Sequence, residues 1–190
     1  MRVGYAIRDE QSQDHAAVRQ LHAAAFGDPE RVPGLVAALR AGGGTVSLVA
    51  AAAGEVIGHV MLSPCRLDAQ PRLVDVVSLS PLGVHPDHQR QGVGTRLVAA
   101  ALAAADARGV PLVVLEGSPT YYGARGFERA DRCGVRSPSL RIPGPAFQVA
   151  RLSAYEPWMT GTFVYADAFW AHDCVGLRDP ERFARIAAMG

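Results

Sequence analysis

LSPLGVHPDHQRQGVGTRLVAAALAAADA, residues 79–107, is the stretch that decides the fold. It contains the end of an apolar run, Val74–Val84, which predicts a buried strand. His85–His88 then predicts a turn, and Gln89–Gly94 opens a long alanine-rich helix. The first N–H groups of a helix lack intrahelical acceptors, and the helix dipole favours negative charge there. A strand, a turn with two close glycines and a helix start therefore predict an anion site.

The segments around this stretch predict a mixed α/β (α+β) fold. Val46–Ala53 and Val56–Ser63 flank Gly54-Glu55, which is typical of a hairpin. The apolar Pro111–Leu115 follows a strand and a helix, so it predicts a parallel crossover pair. The predicted sheet is mostly antiparallel with one central parallel junction. Further expected elements are a strand at Val3–Arg8, a helix capped by Ser12 or Asp14, a helix from about Val32 to Gly42, a polar loop at Arg66–Arg72, strands at Phe127–Ala130, Phe147–Leu152 and Thr162–Tyr165, and a helix at Glu181–Met189.

Composition restricts the class of protein. The 190 residues predict one domain, 1–190, long enough to form a core. The formal net charge of +1 argues against nucleic-acid binding, and no apolar run is long enough for a membrane span. The start of the chain lacks an apolar signal core. Three widely spaced cysteines, Cys65, Cys133 and Cys174, indicate reduced, unreactive thiols and a cytoplasmic protein.

Three features of the sequence have competing interpretations. Pro81 cannot donate to a strand ladder, so we expect a bulge or splay near Ser80–Gly83. His85 and His88 have the spacing of a metal pair, but Pro86 disfavours a regular helix and no third ligand is near in sequence. No metal site is therefore predicted. His59, beside Gly58, faces an acceptor pocket or is an ordinary sheet histidine.

Two motifs carry a family resemblance. Gln89-x-x-Gly92-x-Gly94 resembles the (Arg/Gln)-x-x-Gly-x-(Gly/Ala) motif of the GCN5-related N-acetyltransferases (GNAT), and Tyr121-Tyr122 followed by Gly126-Phe127 resembles that family's second signature. Pro81–Pro86, Gly117–Tyr122 and Gly161–Phe169 are similar to segments of the YhbS-like bacterial subgroup. The resemblance thus extends over nearly the whole chain. A dinucleotide-binding loop is disfavoured because its third glycine is Leu97 here.

The resemblance implies a GNAT fold, with the sheet splayed at its centre and helices on both faces. It also implies acetyl-CoA as co-substrate, a primary amine as acceptor, and direct attack without a covalent enzyme intermediate. In the family, amides of the first motif hold the CoA pyrophosphate, and the splayed strand pairs with the pantetheine arm. The cofactor-binding residues implied are Leu82, Gly83, Val84, Gln89, Arg90, Gln91, Gly92, Val93, Gly94, Thr95, Ser118 and Tyr121. By the same likeness, Tyr122 protonates the departing CoA thiolate.

The chemistry leaves several roles open. Acetyl transfer needs a base or a water chain for the amine proton and a donor for the thiolate. Glu116, at the end of the apolar strand and near Tyr122, is the candidate base, although it could instead cap the short helical turn. Ser118 either contacts CoA or caps that turn. Tyr122 could pack the turn, with Tyr121 as the alternative acid or as a wall of the pantetheine site.

The acceptor, the acyl length and the oligomeric state stay open at this stage. A non-catalytic acyl-CoA-binding sensor is the alternative function, since the binding motif is stronger than the evidence for a base. Nucleic-acid binding through Arg125–Arg141 is disfavoured because the segment lacks interleaved aromatic residues. Thr160–Phe169 could pair with another subunit's strand edge, so both a homodimer and a monomer are compatible with the sequence.

Overall fold

The computed structural model describes residues 4–189 as an alternation of strands and helices. The strands are β1 (Ala6–Asp9), β2 (Val46–Ala52), β3 (Glu55–Ala69), β4 (Leu73–Val84), β5 (Leu112–Glu116), β6 (Glu128–Arg129), β7 (Val135–Arg136), β8 (Phe147–Arg151) and β9 (Gly161–Val164). The helices are α1 (His15–Phe26), α2 (Arg31–Gly42), α3 (Val93–Ala107), α4 (Pro119–Gly123), α5 (Asp167–Ala171) and α6 (Pro180–Ala187). Val3, where the first strand was predicted to begin, lies outside the described residues.

The chain divides into two compact units. The first contains residues 4–63 and 79–104, and the second contains residues 64–78 and 105–189. The divisions fall inside β3, after Ser63, and inside β4, after Ser78. The prediction that residues 1–190 form one domain stays a prediction.

The first unit combines an antiparallel β1-β2-β3 arrangement with three helices. Ala6 pairs with Ala51, and Val46 pairs with Leu62, which confirms the predicted hairpin. A Cβ on Gly58 would lie 2.9 Å from the side chains of Val93 and Leu97, so glycine lets α3 pack directly against β3. Burying a leucine such as Leu97 contributes about 2 kcal/mol. Leu102, further along the same helix, is only half-buried.

The second unit is organised around β5. Val77 and Ser78 of β4 pair with β5 in parallel, which confirms the predicted crossover. β8 pairs with β5 in the antiparallel sense, and β6 pairs with β8. The C-terminal part of β3 pairs with β9, whose other neighbour is β7. The mixed, mostly antiparallel sheet is confirmed, but β7 and β9 form a second parallel pair that the sequence did not predict.

The prediction of a polar loop at Arg66–Arg72 is wrong, because β3 continues to Ala69. Residues in this part of β3 alternate between the two faces: Arg66 and Asp68 are exposed, whereas Leu67 and Ala69 are buried. β9 pairs with the same four residues. Alternating polar and apolar residues are typical of a strand with one solvated face.

The start of α1 also differs in detail from the prediction. Ser12–Asp14 forms a 3₁₀ turn before the helix, and Asp14 occupies the N-cap position. Its carboxylate accepts hydrogen bonds from Arg8 (2.6 and 3.0 Å) and from the N–H of Gln11 (2.7 Å) instead of capping α1. These contacts hold the pKa of Asp14 at about 2, with the Arg8 hydrogen bond as the largest cause.

The strand with Pro81 is continuous from Leu73 to Val84, although its serines and proline were expected to interrupt it. The Ser80–Pro81 peptide bond is cis. The bulge or splay near Ser80–Gly83 stays a prediction.

The suggested pairing of Thr160–Phe169 with another subunit is restricted by the fold. Gly161 and Thr162 of β9 have strand partners on both sides, in β3 and β7. An intermolecular strand therefore cannot pair with these two residues unless β7 or β3 is displaced.

Candidate active site

The turn between β4 and α3 contains two residues in a left-handed backbone conformation. Pro86–His88 forms a 3₁₀ turn, and α3 begins at Val93. Arg90 has φ +59° and Gly92 has φ +86°. A left-handed conformation is unfavourable for a residue with a Cβ, so the backbone of Arg90 is strained. Left-handed residues before a helix turn successive N–H groups towards one side, where they can surround an anion.

Side chains of the turn support its backbone. The amide of Gln89 donates to the carbonyl of Val84 (3.1 Å), and the amide of Gln91 donates to the carbonyl of Asp87 (3.0 Å). The N–H of His85 donates to the carbonyl of Ile57 (3.0 Å), which fixes the turn to β3. Both glutamine side chains therefore support the turn. The groups that could contact an anion are the backbone N–H groups of the turn. Arg90 is exposed, whereas the Arg96 guanidinium lies over the ring of Tyr5, 4.6 Å from its centroid.

The end of β4 presents the three residues expected to contact a pantetheine arm. Leu82 and Val84 are half-buried, and Gly83 is buried. A Cβ on Gly83 would lie 2.8 Å from Nδ1 of His22 and 2.9 Å from Cδ2 of Leu21. Only glycine fits between β4 and α1 at this position. The Gln89 hydrogen bond joins this strand end to the anion loop, so the structure brings these two groups of predicted residues together.

In the second unit, Glu116 ends β5 and is held by two hydrogen bonds. The Tyr165 hydroxyl donates to Oε1 (2.8 Å), and the N–H of Gly176 donates to Oε2 (3.0 Å). Burial raises the pKa of Glu116, while these two donors and the charge of Arg141 oppose the rise. The carboxylate thus fixes Gly176 rather than the short turn at Tyr121.

The short helix α4 positions the two tyrosines. Ser118 is its N-cap, and its Oγ accepts a hydrogen bond from the N–H of Tyr121 (3.3 Å). The Tyr122 ring packs edge-on against the rings of Tyr121 and Phe127. A Cβ on Gly117 would overlap the Tyr122 ring, so glycine makes room for it. Arg125 donates to the carbonyl of Tyr121 and lies over its ring, 3.6 Å from the centroid.

The surroundings of Tyr122 keep its hydroxyl protonated. Burial raises the pKa of Tyr122 well above its ordinary value, and the neighbouring Tyr121 adds to the rise, whereas Arg125 opposes it. A protonated phenol can donate a proton or a hydrogen bond to a departing thiolate, whose conjugate acid has a pKa of roughly 8.5. The end of β5 and the short helix α4 after it contain four of the predicted site residues: Glu116, Ser118, Tyr121 and Tyr122.

Comparison with known proteins identifies the family. The model of the acetyltransferase (GNAT) domain matches residues 6–130. This chain belongs to the GNAT acetyltransferase family. The match includes the β4–α3 turn and the Tyr121-Tyr122 turn, so the resemblance inferred from the two motifs is confirmed.

Solved GNAT structures resemble the chain over most of its length. A GNAT family N-acetyltransferase (YhbS) from Escherichia coli, in complex with CoA, is 31% identical with a TM-score of 0.79. The similarity covers 88% of this chain and 92% of that one. A GNAT family acetyltransferase from Brucella melitensis, in complex with acetyl-CoA, is 30% identical with a TM-score of 0.71 and covers 88% and 99% of the two chains. These neighbours support the predicted GNAT fold.

Curated relatives match shorter regions. The uncharacterized N-acetyltransferase YjhQ of Escherichia coli K12 is 30% identical over 118 residues, which are 60% of this chain and 65% of YjhQ. A mycothiol acetyltransferase of Parafrankia is 44% identical over 62 residues, 33% of this chain and 16% of the relative. The aligned region thus spans less than two thirds of either curated protein.

Residues 4–189 contain neither a cluster of metal-ligating side chains nor a membrane-spanning helix. Among residues 4–189, no three His, Cys, Asp or Glu side chains converge in a way that could hold a metal ion. Within the same residues, no helix is both long and apolar enough to cross a bilayer. In this GNAT protein Cys65 and Cys133 are buried free thiols and Cys174 is partly exposed.

Sequence reasoning missed two polar groups in this GNAT chain. Tyr165, the partner of Glu116, lies within the Gly161–Phe169 segment that was recognised as a subgroup feature without a chemical role. His22 was not singled out, and His59 was considered without its partner; their ring nitrogens are 2.7 Å apart. No local signal could have joined them, because 37 residues separate them in the sequence.

Proposed function

We propose that this protein transfers the acetyl group of acetyl-CoA to an amine of a small molecule, peptide or protein by direct attack. The observation that carries the proposal is the turn at the start of α3, in which Arg90 and Gly92 are left-handed. Backbone N–H groups of such a turn can surround a diphosphate. The complexes of the Escherichia coli and Brucella relatives with CoA and acetyl-CoA support it.

We assign the binding of CoA to two neighbouring segments, the turn between β4 and α3 and the end of β4. Backbone amides of Gln89–Thr95 hold the CoA pyrophosphate, and backbone groups of Leu82–Val84 pair with the pantetheine arm. Ser118 and Tyr121, in the turn after β5, are the further residues to which the resemblance assigns cofactor binding. Holding acetyl-CoA and amine together supplies much of the rate, because it replaces a bimolecular encounter by an oriented one.

The chemical step needs a proton donor for the thiolate and an acceptor for the amine proton. We assign the donor role to Tyr122, whose environment keeps the phenol protonated. Glu116, which ends β5 and is close in sequence to Tyr122, is the candidate acceptor. Its raised pKa suits a base, although both of its oxygens already accept hydrogen bonds. We further propose action in the cytoplasm, where free thiols such as those of Cys65 and Cys133 stay reduced.

A thiol-release assay tests the function. The protein is incubated with acetyl-CoA, or with longer acyl-CoA thioesters, and a panel of primary amines and peptides, while calorimetry measures CoA binding. Turnover with an amine supports the proposal. CoA binding without turnover, even with a cell extract as acceptor source, contradicts it in favour of the non-catalytic sensor. Absence of both binding and turnover rejects the two functions together.

A further inference from the structure

Glu116, the last residue of β5, is held by two donors from the late part of the chain. Tyr165 and Gly176 follow it by 49 and 60 residues, and they donate to its two carboxylate oxygens at 2.8 and 3.0 Å. All three residues belong to the second unit. Glu116 is half-buried, whereas Tyr165 is buried. Two segments that are remote in the sequence thus converge on one carboxylate that is not fully enclosed.

The two hydrogen bonds leave part of the carboxylate available. An ionised carboxylate has about four lone-pair positions, two on each oxygen. Among residues 4–189, the donors to Glu116 are the Tyr165 hydroxyl and the N–H of Gly176, so each oxygen keeps one lone pair without a donor. Such a lone pair can accept a proton. The two bonds therefore orient the carboxylate without preventing it from acting as a base.

Aromatic packing fixes the direction of the Tyr165 hydroxyl. The ring of Tyr165 packs edge-on against Phe163 and is tilted against Phe169, and both ring centroids are 4.7 Å away. Phe163 and Phe169 have no solvent-exposed surface. A ring packed in this way has few alternative orientations. Its hydroxyl therefore meets Glu116 in one geometry.

The segment around Gly176 is held by Arg141. The Arg141 guanidinium donates to the carbonyl of Val175 (2.8 Å), and the N–H of Leu177 donates to the carbonyl of Arg141 (2.8 Å). Gly176 has φ +68°, and a Cβ there would lie 2.6 Å from Cβ of Arg141. Glycine is therefore required at this position. The two bonds to Arg141 fix the segment whose N–H reaches Glu116.

The same partners support the charged form of Glu116. Burial raises the pKa of Glu116. The hydrogen bonds from Tyr165 and Gly176 and the positive charge of Arg141 lower it. The Arg141 guanidinium also lies 3.7 Å from Asp173, so it is paired with that carboxylate as well. The three groups thus oppose the effect of burial, which disfavours the ionised carboxylate.

Tyr165 acts only as a donor near neutral pH. Burial raises the pKa of Tyr165 well above its ordinary value, and the charge of Glu116 adds to the rise. The other titratable group beside it is Cys65 of β3. Burial raises the pKa of Cys65 to about 11, so this thiol carries no charge near pH 7. The hydroxyl of Tyr165 therefore keeps its proton and directs it at the charged Glu116.

We propose that Tyr165, the N–H of Gly176 and Arg141 are positioning groups that keep Glu116 ionised and oriented as the proton acceptor of the acetyl transfer. The proposal rests on the proposed function, in which Glu116 is the candidate acceptor. All three groups lie after residue 130, outside the part of the chain that the GNAT model matches. The proposal explains why donors from two late segments meet at the end of β5.

The chemical step requires an ionised Glu116 when the amine attacks. The nitrogen of a neutral amine forms the C–N bond, the C–S bond breaks, and the nitrogen proton passes to a free lone pair of Glu116. Tyr122 gives its proton to the departing thiolate, as in the proposed function. Because Glu116 is half-buried, it then loses the proton to solvent, and the tyrosinate regains one. The enzyme thus returns to its initial state.

The pH dependence of kcat/KM separates positioning from a purely structural role. In the wild type, kcat/KM should fall towards low pH as Glu116 becomes protonated. Tyr165→Phe removes a donor to the charged carboxylate, so this fall should begin at a higher pH. Relative to the wild type, kcat/KM of Tyr165→Phe should be about tenfold lower at pH 6 and less than about threefold lower at pH 9.

Val149→Ala is the matched control, because it removes methyl groups from the core of the same unit and leaves the donors to Glu116 in place. Its kcat/KM relative to the wild type should not depend on pH. Arg141→Gln should move the fall to higher pH as Tyr165→Phe does, and Arg141→Lys, which keeps the charge, should move it less. Unchanged profiles in Tyr165→Phe and Arg141→Gln would overturn the proposal.

A titration without substrate separates this proposal from the proposed function. The ¹³C chemical shift of the Glu116 carboxyl carbon, measured on the full chain, should give a higher pKa in Tyr165→Phe than in the wild type. An equal or lower pKa would overturn the proposal whatever the enzyme does. Turnover with wild-type kcat in Glu116→Gln would overturn it and leave the proposed function intact. If CoA binds but no amine supports turnover, the proposed function fails, and the catalytic role of these groups fails with it.

Discussion

The hydroxyl of Tyr165 donates a 2.8 Å hydrogen bond to Oε1 of Glu116, which joins the end of β5 to the residue that follows β9. The N–H of Gly176 occupies the other carboxylate oxygen. Burial raises the pKa of both Glu116 and Tyr165, and for Tyr165 the nearby Glu116 charge adds to the effect of burial. Glu116 thus connects three segments of the second unit, and this structural role must be separated experimentally from a role as base.

Tyr165→Phe should destabilise the fold by about 1–3 kcal/mol at pH 7, because a buried carboxylate loses a donor. Burial raises the pKa of Glu116, whereas the hydrogen bond from Tyr165 lowers it, so the hydroxyl supports the charged form of the carboxyl group. At pH 4 the group is protonated in the folded state, and the cost of the substitution should be smaller. Urea unfolding at the two pH values measures this difference.

Tyr155→Phe is the matched control, since it removes a hydroxyl from a residue whose ring packs near Arg151 in the same unit. It should change the free energy of unfolding by less than about 0.5 kcal/mol at both pH values. Equal losses at pH 4 and pH 7 for Tyr165→Phe would contradict the proposed support of the Glu116 charge.

Tyr122→Phe should lower kcat about 10²-fold or more while CoA affinity stays similar. The substitution removes the proton that we assign to the thiolate but keeps the ring that packs against Phe127. Tyr121→Phe is the control, because Tyr121 is the alternative acid and has the same side chain one residue earlier. An unchanged kcat in Tyr122→Phe, or a larger loss in Tyr121→Phe, would reject Tyr122 as the proton donor.

Gly117→Ala should lower kcat about tenfold by displacing the Tyr122 ring, since the new Cβ would overlap it. It should also cost about 1–3 kcal/mol of stability, as overpacking does elsewhere. In the Tyr122→Ala background the clash is absent, so the added stability cost of Gly117→Ala should nearly disappear. Thermal unfolding of the four proteins measures this coupling. Additive costs would show that Gly117 and Tyr122 do not interact.

Local signals explain which parts of the fold the sequence could predict. Gly92 and Gly94 beside a strand and an alanine-rich helix predict the anion loop, because anion binding there depends on backbone groups that are neighbours in the sequence. The loop prediction at Arg66–Arg72 failed because this part of β3 has one solvated face, on which the charged residues Arg66 and Asp68 lie at alternate positions. The pairing of that segment with β9, about 100 residues away, determines its structure. The contacts of Glu116 with Tyr165 and of His22 with His59 are also non-local, so the sequence does not predict them.

Gly92→Ala should weaken CoA binding roughly tenfold by calorimetry, which corresponds to about 1.4 kcal/mol. Gly92 has φ +86°, and a residue with a Cβ disfavours that conformation, so the loop would relax away from the arrangement that surrounds a diphosphate. Gly109→Ala is the matched control. Gly109 has φ +70° after the other end of α3, so it should show a similar loss of stability with unchanged CoA affinity. Equal effects of both variants on CoA affinity would contradict the proposed anion loop.

Acidification should destabilise the protein through its histidine pair. The pKa of both His22 and His59 is lowered from 6.5 to about 3 in the fold, so the unfolded chain binds more protons between these values. Their contribution to stability is complete above pH 6.5 and is lost as the pH falls towards 3. Each proton contributes a slope of about 1.4 kcal/mol per pH unit where the unfolded residue is charged. Urea unfolding between pH 6.5 and 5 measures the slope before carboxylates titrate.

His22→Gln should reduce this slope by about half, because one of the two buried imidazoles is then absent. His15→Gln, which replaces an exposed histidine at the start of α1, should leave it unchanged. The comparison depends on folding alone and requires no substrate. A wild-type slope near zero between pH 6.5 and 5 would mean that the histidines are protonated in the fold. The neutral state of the buried pair of His22 and His59 would then be wrong.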